Sequence, residues 1–144
     1  MVIRYHHTQR GVLMLVVLTI AAVLSGSAAY LNPASSERWP LFVIAIGSAV
    51  LAWLFSSLTA DVNEKEFHWY FGPGIWSYRI ALTEIDSVKI VRNTWSNGFG
   101  IRMRPGFRLY NVSGLDAVEL RLKTGEIRRI GTDDTQGLVA ALKS

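Results

Sequence analysis

The sequence predicts a membrane α-hairpin joined to a mainly-β domain, and three observations predict it. Residues 1–60 hold only four charged side chains (Arg4, Arg10, Glu37 and Arg38), whereas residues 61–144 hold the other 22. Two uncharged apolar runs, 11–31 and 41–60, fill the first part. Beyond residue 61 the solid apolar runs give way to alternation with a period of two, the signature of half-buried strands. Half of the 144 residues are apolar and 18% are charged, with a mean hydropathy of +0.25, which excludes a disordered chain. The expected division is therefore 1–60, a tail with a two-helix transmembrane hairpin, and 61–144, a β domain.

The first run, GVLMLVVLTIAAVLSGSAAYL, has 21 residues without a charge. At about 1.5 Å per residue it spans a hydrocarbon core of roughly 30 Å. The second run, LFVIAIGSAVLAWLFSSLTA, is of similar length. Between them Pro33, Pro40 and a polar cluster make a loop, with Tyr30 and Trp39 placed as interfacial aromatics. Small residues recur every four positions at Ala21, Ser25 and Ala29 and at Ala45 and Ala49, spacing that permits close helix contact. Ser27-Ala28-Ala29 also has the small-x-small look of a signal-peptidase site, but the apolar run continues past it to Leu31. Arg4 and Arg10 before the first helix, against Arg38 in the loop, favour both termini in the cytoplasm under the positive-inside rule.

Strands are expected at 58–62, 66–71, 76–82, 85–92, 99–104, 107–112, 118–123 and 126–130. Gly72-Pro73-Gly74, Pro105-Gly106, Ser113-Gly114 and Thr124-Gly125 supply turns between them. Val118, Leu120 and Leu122 share one face of their strand and the charged residues share the other. The sequence Ile127-Arg128-Arg129-Ile130 breaks alternation and suggests a bulge or twist. Seven or eight short strands at this spacing imply an antiparallel barrel or sandwich. Asp133 and Gln136 have capping-box spacing, and Leu138, Val139 and Leu142 make one face of a closing helix.

Phe71-Gly72-Pro73-Gly74, Ile85-Asp86-Ser87-Val88, Gly98-Phe99-Gly100-Ile101-Arg102, Leu109-Tyr110-Asn111-Val112-Ser113-Gly114 and Arg129-Ile130-Gly131-Thr132-Asp133-Asp134 carry a resemblance. Through them the region 58–144 resembles the bacterial pleckstrin-homology-like membrane proteins. The resemblance implies an antiparallel barrel of about seven strands capped by one C-terminal helix, in the bacterial cytoplasmic (inner) membrane, without enzymatic activity. The basic set with which the eukaryotic branch binds phosphoinositides does not carry over, because Asn63-Glu64-Lys65 stands at that hairpin.

The chain has no cysteine, which excludes disulfides, thiolate nucleophiles and Cys-based zinc sites. Net charge is +4, but 61–144 is nearly balanced, so nucleic acid is not an expected partner. No nucleophile elbow, paired-carboxylate motif, P-loop or metal cluster appears, and Gly98-Phe99-Gly100 lacks the context of a dinucleotide fingerprint. No catalytic residue, metal or cofactor is therefore expected. His6-His7 lacks a third ligand and reads as a headgroup-level pair, and His68 reads as a structural histidine. Two candidate binding elements remain: Arg102, Arg104 and Arg108 around Pro105-Gly106, and the loop aromatics Trp95 and Phe99. A strict two-residue turn pairs Met103 with Arg108 and splits the arginines between faces, whereas a longer loop leaves the register open. The leading expectation is a membrane-anchored, non-catalytic binding or scaffold module for a protein partner or further copies of itself. Recognition of anionic lipid headgroups by the arginine hairpin is the alternative. An accessory subunit of a membrane enzyme or transporter comes third.

Overall fold

The computed structural model describes residues 2–144. The expected N-terminal tail is a strand. β1 (Ile3–Arg10) pairs antiparallel with β2 (Ser57–Asn63), setting His7 opposite Ala60 and Arg10 opposite Ser57. Its sequence, IRYHHTQR, hides this role because β1 is an edge strand, where polar side chains can remain in solvent. Only its Tyr5, His7 and Gln9 side turns inward, and Tyr5 packs against the core.

Between these neighbouring strands the chain makes an excursion through two helices, α1 (Val12–Leu31) and α2 (Arg38–Leu54). They lie against each other, with Gly26 facing Ala45 so closely that an added Cβ would stand 3.6 Å from the Ala45 Cβ. α1 is long and apolar enough to cross a membrane, and among the described residues it is the one helix that is. The second expected span is corrected: α2 has 17 residues, about 25 Å at the usual helical rise. It starts earlier than expected, with Pro40 in the first turn, where a missing N–H removes no intrahelical bond. It also stops at Leu54, because residues 57–60 belong to β2. The apolar Leu58 and Ala60 thus fill the β core.

The junction has no linker. Gly11 N–H donates to Ser56 O (2.8 Å), and Gly72 N–H to Ser57 O (2.9 Å). A Cβ on Gly11 would stand 2.5 Å from Phe55 O, so the strand-to-helix corner has room only for glycine.

The strands form two sheets. The first has the order β1-β2-β3-β4, with β3 (Glu66–Phe71) and β4 (Ser77–Ala81). The second has the order β5-β8-β9-β7-β6, with β5 (Ile85–Arg92), β6 (Gly100–Arg104), β7 (Phe107–Asn111), β8 (Asp116–Leu122) and β9 (Ile127–Gly131). The antiparallel barrel of about seven strands that the resemblance implies is therefore corrected: of the two architectures the strand spacing allowed, barrel or sandwich, the chain forms two separate sheets, in which β7 and β9 run parallel. One core joins the sheets: Leu58, Val62, Phe67, Trp69 and Phe71 meet Tyr110, Val118, Leu120 and Ile130, and Leu138 of α3 (Thr135–Lys143) closes it. Of the N-cap candidates Thr132, Asp133 and Asp134, the capping residue of α3 is Asp134, whose carboxylate accepts from Gly137 N–H (3.0 Å), so the Asp133–Gln136 capping box does not form. Asp133 instead bonds His7.

Gln9 Nε2 donates to Ser113 O (3.0 Å), and Gly11 abuts Val112. The residues that follow β7 thus lie beside the base of the helix pair. The Pro105-Gly106 turn lies at the opposite end of that strand.

Candidate functional site

Strand order and register decide which side chains share the outer face of the second sheet. Paired residues in a ladder point the same way, so one row runs Lys89, Glu119, Arg129, Leu109, Arg102 across all five strands. A parallel row runs Ser87, Arg121, Ile127, Phe107, Arg104. These rows bring five cations and one acid onto a single face.

The acid is buried. Glu119 is 3% exposed and accepts from Lys89 Nζ (2.9 Å) on one side and Arg129 Nε (2.6 Å) on the other. Burial by itself pushes a carboxyl pKa up. Here the two cationic hydrogen bonds outweigh it, and Glu119 titrates below its ordinary range. Arg129 is fixed further by Asn93 Oδ1 (3.3 Å) and by the Phe107 ring, 5.2 Å beneath its guanidinium. Arg102, Arg104 and Arg121 are exposed, and none has an acidic partner among the described residues. The face is an electropositive surface suited to carboxylates or phosphates.

The expected arginine trio is divided. Met103 pairs with Arg108 and Arg104 with Phe107, the strict two-residue register, with Gly106 at φ +70°. Arg102 and Arg104 therefore share the outer face. Arg108 lies on the opposite side, where Glu126 holds both Arg108 (2.9 Å) and Arg128 (3.3 Å). Ile127 and Ile130 do not share a face, so the bulge or twist that sharing one would need is absent at Arg128-Arg129. β8 and β9 pair without a shift from Ala117–Gly131 to Arg121–Ile127, and Ile127 simply faces outward.

Trp95 and Phe99 meet edge to face at 5.8 Å, and Trp95 is 70% exposed. Their loop joins the two edge strands of the second sheet and begins where Asn93 N–H donates to Leu115 O (2.6 Å). It leans over the arginine face at Gly98, where a Cβ would stand 2.6 Å from an Arg102 nitrogen. The histidines are committed elsewhere: His6 bonds Asp61 and His7 bonds Asp133. His68 stands opposite Asp61 and Arg79, and burial, aided by Arg79, lowers its pKa. Among the described residues no three His, Asp or Glu side chains converge as metal ligands.

Sequence reading missed Lys89, Arg121 and Arg129 as companions of Arg102. The alternation in β8 already marked Arg121 as outward-facing. What sequence lacked was the strand order that sets β8 and β9 between β5 and β7. No protein-family model matches this chain, and no curated protein matches it.

Proposed function

We propose that the protein is a membrane-anchored, non-catalytic binding module. The observation that carries this reading is the helix pair, whose apolar side chains are nearly all exposed or only half-buried. Val16, Val17, Ile20, Val43 and Ile46 are all exposed, and only Ala29 and Ala52 of the two helices are buried. An apolar surface of that extent is stable in lipid rather than in water. The β1–β2 pairing supplies the second half of the argument. Because the two ends of the excursion sit in neighbouring strands, the helix pair enters the apolar layer from one side as a unit, with α1 the helix long enough to span it. Arg4 and Arg10 beside the domain support a cytoplasmic placement, and the pleckstrin-homology-like resemblance supports a bacterial inner membrane. The C-terminal helix on a shared β core supports that resemblance, while nine strands among the described residues and a parallel pair stand against it.

The partner favoured by the cationic face is an acidic segment of another protein. Headgroup recognition by Arg102, Arg104 and Arg108 is the weaker reading. Their turn lies at the end of the sheet away from the helix pair, and Arg108 is engaged by Glu126. A transporter subunit draws no support from helices whose one charged side chain, Arg38, stands at the first position of α2.

In membranes from expressing cells, the full chain should resist extraction by alkaline carbonate and leave only with detergent. A phosphatase fused after Ser144, active only outside the cytoplasm, should be silent. Release by carbonate would overturn the anchor, and an active fusion would overturn the orientation. Purified in neutral-lipid nanodiscs, the chain should bind a fluorescent polyglutamate peptide at low salt and lose it at high salt. Arg102→Glu with Arg121→Glu should abolish that binding, and unchanged affinity would remove the face from consideration.

A further inference from the structure

We infer that the segment Gly72-Pro73-Gly74-Ile75-Trp76, between β3 and β4, is an interfacial anchor that rests in the headgroup layer of the bilayer. The inference rests on the membrane reading above and adds a second point of lipid contact, made by the β unit itself. Its position follows from contact with α2. A Cβ on Gly72 would stand 2.5 Å from Leu54 O and 2.8 Å from Trp53 O, so the segment lies directly on the last turn of that helix. Phe55, the residue that caps α2, stacks on Trp76 at 5.3 Å and meets Phe71 edge-on at 5.2 Å. Wherever the helix meets the membrane surface, this loop meets it too.

Its chemistry suits that depth. The segment carries no charge. Ile75 is 64% exposed, and Trp76 and Trp53 keep exposed ring surface beside it. Tryptophan at the end of an apolar helix is the side chain that the interface accommodates best, having an apolar body and one donor. The backbone is prepared as well. Gly72 N–H donates to Ser57 O, Gly74 N–H to Phe71 O (2.8 Å), and Trp76 O accepts from Phe71 N–H (3.1 Å). These internal bonds lower the cost of leaving bulk water. Arg10 ends β1 at the same level and offers a cation to lipid phosphate.

The absence of native cysteine makes the test direct. Single nitroxide labels are placed at Ile75→Cys, at Val16→Cys on α1 and at Met103→Cys near the far turn of the second sheet. The full chain is reconstituted in vesicles of phosphatidylcholine and phosphatidylglycerol, and collision with oxygen and with a water-soluble nickel complex is measured. The expected result is a Val16 label rich in oxygen contact and a Met103 label rich in nickel contact. The Ile75 label should lie between them, several-fold less accessible to nickel than Met103. An Ile75 label as nickel-accessible as Met103, with Val16 in lipid, would overturn the anchor while the membrane reading stands. Nickel access at Val16 would remove both. An Ile75 label shielded from both reagents would mean a protein contact and would also overturn the proposal.

Discussion

Glu119 sits at the centre of a face that is otherwise cationic, and its burial makes it the residue on which that face depends. With its carboxylate removed, Lys89 and Arg129 repel each other across β8 and lose their shared acceptor. Because both cations reach solvent, the cost is discounted from that of a fully buried pair. Glu119→Gln should lower stability by about 1–3 kcal/mol, read as an earlier thermal transition in detergent. The sign of the pH effect follows from the depressed pKa. The stabilisation is present above the unfolded carboxylate value and is lost as pH falls through the lower folded value. The gap between wild type and variant should therefore narrow on acidification below about pH 4. A gap that does not change with pH would mean that shape, not charge, sets the effect. Tyr5 shows the opposite case, its hydroxyl pKa raised by burial and by the bond to Asp134, which favours the neutral form in the folded state.

At the scale of elements, the corner between β1 and α1 sets the tightest steric condition. Gly11→Ala drives a Cβ into Phe55 O and should destabilise the chain by about 1–3 kcal/mol. Gly47→Ala, with nothing within 4 Å of the added carbon, is the matched control and should be neutral or mildly stabilising. Equal melting shifts for the two variants would show that the corner is softer than its geometry implies. The same elements show what a sequence can reveal. β8 was legible because Val118, Leu120 and Leu122 alternate with polar residues, and all three are buried. β1 was not, because an edge strand needs no apolar stripe and its partner lies beyond two helices. The end of α2 was hidden for a related reason: an uncharged run does not show where lipid-facing side chains give way to core-facing ones. Arg102 and Arg104 were legible as a pair, and the wider face was not, since it is assembled from five strands by pairing order.

For the whole molecule, the two sheets and α3 make one unit from which the helix pair projects. Its attachment at both ends, through Gly11 and Ser56, differs from a domain hung on a single linker. Two fixed points leave the β unit little freedom to swing, so the cationic face keeps one bearing relative to the helices. A partner must then approach along that bearing. Inserting a flexible linker between Phe55 and Ser57 should weaken capture of the acidic peptide little while loosening the β1–β2 ladder, read as faster amide exchange in residues 3–10. The pairing of β1 with β2 also orders events in time. Residues 3–10 leave the ribosome before either helix, and the strand that receives them emerges only after both. The first sheet therefore completes itself only once the apolar excursion is finished, so β1, made before the helices, waits through both of them for the strand that receives it.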